Sequence, residues 1–333
     1  MEQMMRAIIR SENGLEIESV PRPAKTEAGH LLIKMECCAI NPGDQAFIKS
    51  PLPPGSVISL YDIYGVSGVG EVMAIGANVP EIYKGKRVTM YRSLRPSDHM
   101  IGTWCEYAHM HYLDCAIIPD GASPEEYAGS MVNIITPYAF LQQVMEEGHK
   151  GIISTAGTSA TGIAMVGICR HFDFPLISIV RSEEGKAELE KLGAENVLAQ
   201  NAPDFANVLS KKANELQATA IFDGVGGGML NKIIEAIPPF STIFSYGYLG
   251  DNIPLTVHLR TLAAKGLIIR PFANFRTKTV QNPVNLEKAI NEISRFIHQP
   301  HFKTRIGKKF TLEEIQEALS FSSKEGKKAI LYP

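Results

Sequence analysis

Cysteine is scarce and odd in number, with five in 333 residues. That argues against a disulfide framework and fits a reducing cytoplasm. Charge of neither sign dominates: 33 Lys and Arg stand against 35 Asp and Glu, for a net charge of −2. No basic field is therefore expected to draw in nucleic acid or an anionic membrane. No apolar run reaches the roughly 18 residues of a membrane span. The start, Met1-Glu2-Gln3-Met4-Met5-Arg6, lacks the apolar core of a secretory signal. Tryptophan occurs once, at Trp104, and no repeat or low-complexity tract is present. The remainder, 45% hydrophobic and 20% charged, is an ordinary globular composition, and the length allows one or two domains.

Most informative is Ser154-Thr155-Ala156-Gly157-Thr158-Ser159-Ala160-Thr161-Gly162. The apolar Ile152 and Ile153 precede it, and a long apolar-periodic segment follows, so it predicts strand, tight turn and helix. Small side chains let backbone N–H groups approach a phosphate, and the helix N-terminus adds partial positive charge. About 20 residues past such a turn, a dinucleotide-binding unit places its ribose-reading residue at the next strand's end. Here that strand, Leu176-Ile177-Ser178-Ile179-Val180, ends in Arg181. An acid would bond a ribose 2′-hydroxyl, whereas an arginine suits a 2′-phosphate, which points to NADPH. Taken separately, the turn also reads as an ordinary strand–helix connection and Arg181 as a solvated arginine; the pair at this spacing favours the nucleotide.

Residues 5–120 read as β-rich, with short apolar runs between Gly and Pro. At Ser123-Pro124-Glu125-Glu126 an N-cap, a proline at N1 and first-turn acids predict a helix start. From there to about 270 strands and helices alternate, which argues for a parallel sheet. Two strands open into glycine turns, Asp223 into Gly224-Val225-Gly226 and Tyr246 into Gly247, and with the first turn they could line one crevice. Helices are expected near 284–298 and 311–323, then a strand over 328–332.

In order, these pieces resemble the medium-chain dehydrogenase/reductase superfamily, in its zinc-independent quinone-oxidoreductase and enoyl-reductase branch. The matching pieces are Ala39-Ile40-Asn41-Pro42-Gly43-Asp44, Gly65-Val66-Ser67-Gly68-Val69-Gly70-Glu71-Val72, Gly102-Thr103-Trp104-Cys105-Glu106-Tyr107 and Val132-Asn133-Ile134-Ile135-Thr136-Pro137-Tyr138. Gly193-Ala194-Glu195-Asn196-Val197, Phe222-Asp223-Gly224-Val225-Gly226-Gly227 and Gly326-Lys327-Lys328-Ala329-Ile330-Leu331 complete the series. The resemblance implies an α/β chain: a GroES-like β-rich domain over 1–123 and 273–333, and a doubly wound Rossmann domain over 124–272. It also implies an active site in their cleft and homodimers paired through sheet edges, or tetramers of such dimers.

By the same resemblance Ala156 to Gly162 (Ala156, Gly157, Thr158, Ser159, Ala160, Thr161, Gly162) hold the pyrophosphate, and Arg181, Ser182 and Lys186 the 2′-phosphate. Gly224, Val225, Tyr246, Gly247, Phe272 and Asn274 border ribose and nicotinamide, Thr136 lies beneath the nicotinamide, and Lys328 reaches toward the cofactor. Hydride transfer to a quinone or α,β-unsaturated carbonyl needs little beyond a donor for the developing oxyanion. Asn41 could be that donor or a turn residue before Pro42; Trp104 could wall the pocket or fill the core. Tyr61 or Tyr64 could supply a phenol, or bond backbone.

Zinc-dependent relatives use a Cys, a His–Glu pair and a further Cys or Asp, but Asn41, Val66 and Ser67 stand at the first positions here, so no metal is expected. Cys37 and Cys38, adjacent, read as a buried strand pair. Cys105, His109, His111 and Cys115 have ligand-like spacing, but one strand would put the two cysteines about 30 Å apart. Two departures from the branch count. Enoyl-thioester reductases carry a tyrosine where this chain has Ile48-Lys49-Ser50-Pro51-Leu52-Pro53-Pro54, and quinone reductases often carry one near the place of Gln200. The prolines Pro51, Pro53 and Pro54 suggest a stiff lid. The leading expectation is an NADPH-dependent, zinc-free reductase of quinones or enones. An enoyl-thioester reductase is the second, and a non-catalytic cofactor-binding or RNA-associated protein the third.

Overall fold

The computed structural model describes residues 3–11, 14–49, 59–92, 94–95, 97–322 and 326–333. Ser50 to Pro54, with the prolines read as a lid, lie outside the described residues. The strands are β1 (Met4–Ser11), β2 (Gly14–Pro21), β3 (His30–Ala39), β4 (Ser67–Ile75), β5 (Arg87–Tyr91), β6 (Tyr107–His111), β7 (Cys115–Ile117) and β8 (Gly151–Ser154). They continue as β9 (Leu176–Val180), β10 (Asn196–Ala199), β11 (Ala218–Asp223), β12 (Thr242–Ser245), β13 (Ile268–Pro271), β14 (Ile306–Thr311) and β15 (Lys328–Tyr332).

By its contacts the chain divides into two compact units, Met1–Ile135 with Val280–Pro333, and Thr136–Thr279. In the first, β1 and β2 form a hairpin, and a sheet runs β14-β15-β3-β4-β5-β7 with β6 also on β3. Its pairs are antiparallel apart from β14 with β15. Ile8, Leu31, Ile33, Val88 and Met110, each wholly buried, belong to its core. This is the GroES-like β-rich unit expected from the sequence.

The second unit holds a six-stranded parallel sheet in the order β10-β9-β8-β11-β12-β13. Counted from β8, that is the 3-2-1-4-5-6 order of a Rossmann sheet. One row of isoleucines crosses it in register, Ile177, Ile153, Ile221 and Ile243, all wholly buried. Apolar residues on both faces are what a sheet covered by helices requires, and each buried isoleucine contributes about 1.5–3 kcal/mol. The row ends at Ile269 on the edge strand β13, where exposure rises to 41%.

Three local expectations change. The helix predicted from Ser123 is a 3-10 turn, Pro124–Tyr127, and the α-helix begins later, as Ser130–Glu146. The Ser123 hydroxyl bonds the Glu125 carboxylate instead of capping backbone, while Thr304 takes the Glu126 carbonyl and the Gly129 N–H. The helix expected over 311–323 is Ile315–Ser320, after a 3-10 turn capped by Thr311 and Glu314. The single strand drawn through 105–115 is broken, because β6 ends at His111 and a 3-10 turn, Tyr112–Asp114, precedes β7.

Candidate functional site

The turns predicted to hold a nucleotide lie at the C-terminal ends of β8, β11 and β12, the edge where α/β sheets bind ligands. After β8 the chain turns through Ala156 at φ +54 and enters the helix Ala160–His171. Ser159 is its N-cap, accepting from the Gly162 N–H at 3.0 Å. Gly162 has no room for a side chain, since a Cβ would lie 2.4 Å from the Ala156 carbonyl oxygen. Gly157 lets the turn press on β9, where a Cβ would meet Ile179 O and Val180 Cγ1, each at 3.0 Å. Thr158 sits as closely against Gly185.

Asp223 organises the second turn. It accepts from Thr155 Oγ1 at 2.7 Å and from the N–H groups of Val225 and Gly226 at 3.1 Å each, while Thr155 Oγ1 takes the Gly224 N–H at 2.9 Å. Gly224 leaves space for the Tyr246 hydroxyl, 2.5 Å from where its Cβ would be, and Gly247 packs back on Gly224. The structure thus brings Gly224, Val225, Tyr246 and Gly247 together. Burial, followed by the nearby Asp223 charge, pushes the Tyr246 phenol up, against the Ser159 hydroxyl it faces. Asn274 donates to Thr136 Oγ1 at 2.9 Å, joining two further predicted residues. The Phe272 ring is turned into an aromatic cluster with Phe140 and Phe222, and its backbone N–H donates to Ser245 O at 2.8 Å.

Arg181 follows the last residue of β9, is exposed, and has no ion pair or hydrogen bond among the described residues. Ser182 is the N-cap position of the helix Glu183–Lys191, and Lys186 on its first turns lies 3.9 Å from Glu183. Small-residue turns, a helix N-terminus and the exposed Arg181 fit a nicotinamide dinucleotide.

The first unit holds a different cluster. Asn41 precedes the helix Pro42–Lys49, and Asp44 in its first turn accepts from the Asn41 N–H at 2.8 Å, half of a capping box. The Asn41 amide donates to Ser67 Oγ at 2.9 Å and to Ala39 O and Asp44 Oδ2 at 3.1 Å, and its oxygen accepts from Lys328 Nζ. Asp44 Oδ1 accepts from the Val66 N–H at 3.1 Å. Gly129 makes way for Lys328, whose Nζ is 3.1 Å from where a Cβ would be. Burial lowers the Lys328 ammonium to about 8, with the Asp44 charge opposing. It raises the Asp44 carboxyl, against the Asn41 hydrogen bonds, Arg92 and Lys328.

Lys328, expected to reach the cofactor, therefore engages Asn41. Sequence reasoning gave Asp44, Ser67 and Arg92 no role; the readable signal was an acid three residues after Asn41, at a helix start. Tyr64 and Trp104 are closed to solvent, at 1% and 0% exposure.

These residues do not fit zinc. Val66 offers no side-chain donor atom, and the Asn41 oxygen already accepts from a buried ammonium. Cys105, His109, His111 and Cys115 do not converge either. Cys105 Sγ donates to Gly102 O and Tyr107 O at 3.2 Å each, while His109 stacks on His30. No group of three or more His, Cys, Asp or Glu among the described residues could hold a metal.

Two family models match, an alcohol dehydrogenase GroES-like domain over residues 27–120 and a zinc-binding dehydrogenase over 160–289. The mitochondrial enoyl-[acyl-carrier-protein] reductase of Arabidopsis thaliana is 27% identical over 278 residues, 80% of this chain and 71% of that protein. A solved Mesorhizobium loti protein, assigned as an NADPH:quinone reductase, is 26% identical with TM-score 0.75, covering 100% of this chain and 99% of its own. A mutant enoyl thioester reductase from Candida tropicalis shares the fold at TM-score 0.77 and 19% identity, covering 99% of this chain and 100% of its own. With both domain models matched in order, the chain belongs to the medium-chain dehydrogenase/reductase superfamily, and the relatives it resembles there are quinone oxidoreductases and enoyl reductases.

Proposed function

We propose that the chain is an NADPH-dependent oxidoreductase that transfers a hydride, without a metal, to a quinone or an α,β-unsaturated carbonyl. The observation that carries this reading is Arg181, exposed and unengaged just past the strand beside the glycine turn. A planar fork of donors free of internal partners suits a 2′-phosphate. When bound, the nicotinamide supplies the hydride. The chain's part is to seat the diphosphate on the 156–162 turn, to hold the nicotinamide end beside Thr136 and Asn274, and to keep the carbonyl oriented. Asn41, with its amide held by four partners, serves this reading as a fixed wall of the first unit.

A titration of the purified protein with NADPH and NADH, followed by NADPH oxidation with a small quinone and a small enone, tests the proposal. NADPH-selective binding with turnover is expected; absence of binding by either cofactor would overturn it. An enoyl-thioester reductase is the second reading, favoured by the Arabidopsis relative. Turnover of a crotonyl thioester, with quinones and enones inert, would select it.

The proposed setting is the cytoplasm, where the five cysteines, all buried and free, stay thiols. The proposed assembly is a homodimer through β13, whose Ile268 and Ile269 are 55% and 41% exposed on a sheet edge. Ile269→Lys would then shift the sedimenting species to a monomer.

A further inference from the structure

Two of the donors that are buried without a partner among the described residues of the first unit lie on neighbouring rings. The Tyr64 hydroxyl and Trp104 Nε1 make no hydrogen bond among the described residues, although their side chains are 1% and 0% exposed. Their rings lie 6.1 Å apart, tilted by 31°. Three backbone bonds pin them: Trp104 N to Tyr64 O at 3.0 Å, Tyr64 N to Ile8 O at 3.0 Å, and Ile8 N to Trp104 O at 2.9 Å. Gly65, at φ +90, admits the indole, because a Cβ there would lie 2.3 Å from Trp104 Cδ1.

The polar groups around them are paired. Thr103 Oγ1 donates to Ser67 O at 3.2 Å, Cys38 Sγ to Thr103 O at 2.9 Å, and the Asn41 amide is held as described. Arg92, the cation near Tyr64, is faced by Asp44. An unsatisfied buried donor costs stability, and native interiors rarely keep one without a reason. Two on neighbouring rings, in rigid backbone, call for an acceptor without hydrogens of its own. Both are neutral donors, which suits a ketone, enone or quinone oxygen.

We infer that Tyr64 and Trp104 form a carbonyl-binding subsite, donating O–H and indole N–H to the substrate oxygen in place of Asn41. This rests on the reductase reading above. Since both rings are closed over, a ligand reaches them by a local opening.

Trp104 is the sole tryptophan, so its emission reports on this place alone. The full chain is titrated with cyclohexanone and with methylenecyclohexane, its hydrocarbon counterpart. A saturable emission shift with the ketone but not the hydrocarbon is expected, weakened about five- to tenfold in Tyr64→Phe. Tyr64→Phe should also melt no lower than the parent without ligand, since it deletes an unpaired hydroxyl. Trp104→Phe, followed by calorimetry, should weaken ketone binding similarly. An unmoved emission, or equal ketone affinity in parent and Tyr64→Phe, overturns the subsite even if enones are reduced. Ketone binding at Trp104 without oxidation of NADPH by any acceptor overturns the reductase reading and leaves the subsite standing.

Discussion

The turn after β8 is made of backbone and small side chains, and the neighbouring cation Arg181 has no partner among the described residues. Around Asn41 the reverse holds. Asp44, Ser67 and Lys328 are buried and bonded through that one amide. In the proposed reading the first region receives charge from outside. The second already balances its own, so it acts as a keystone of the β-rich unit. Polar residues at a candidate site thus differ in what remains available, and that decides which of them can meet a ligand.

The sharpest way to break the comparison is Asp44→Asn. It keeps the shape but removes the carboxylate facing Lys328 and Arg92, and turns an amide N–H₂ toward backbone donors. Removing one partner of a buried charged group costs about 3–5 kcal/mol, read as a lowered urea midpoint at unchanged slope. A loss below about 1 kcal/mol would mean that the cluster is not a keystone.

Next is Gly162→Val in the other region. With the Ala156 oxygen 2.4 Å from the new Cβ, the turn must open. We expect about 2–3 kcal/mol of overpacking cost and loss of cofactor binding. Unchanged cofactor affinity would show that the turn is not the phosphate cradle. Arg181→Ala is milder: the fold should be unaffected, NADPH affinity should fall about 10- to 100-fold for the lost charge-assisted bonds, and NADH affinity should hold. Equal losses for both cofactors would remove Arg181 from the phosphate site.

The second unit was legible because its signals are local. The 154–162 turn, the strand ending at Val180, and the Asp223 and Gly247 turns each show within a few residues, and turn chemistry acts over that range. The cluster of the first unit was not, because Asn41 meets Lys328 across 287 residues and Ser67 across 26. No periodicity encodes such pairings. The motifs set Asn41 before Pro42 and Lys328 at the start of the last strand, yet could not tell that each engages the other. The predicted helix at Ser123 failed likewise, since Thr304, far along the chain, takes the groups that would continue it.

The smallest expected effect concerns a third polar cluster, paired like the Asn41 group but able to titrate. His30 stacks on His109 at 4.8 Å, with His111 and His99 at 5.4 and 6.0 Å from His30. His30 faces Ser97 Oγ at 2.7 Å and Ala28 O at 2.8 Å; His109 faces His99 O at 2.7 Å and accepts from the Glu27 N–H at 3.3 Å. Burial first, then the neighbouring imidazoles, bring His109 down to about 4; burial, His30 and Arg95 do the same for His111. The carbonyls these rings face, Ala28 O for His30 and His99 O for His109, oppose this, and Glu27 opposes it at both. The folded state thus holds His109 and His111 neutral, while the unfolded chain protonates them from the ordinary value of 6.5. Between about pH 6.5 and about pH 4 the unfolded state binds more protons, so stability present above that window is lost as pH falls. His109→Gln should flatten this slope by on the order of 1–2 kcal/mol between about pH 7 and about pH 5. Urea midpoints of parent and variant across that range decide it, and parallel curves would show that the stacked pair adds nothing to the acid sensitivity of the β-rich unit.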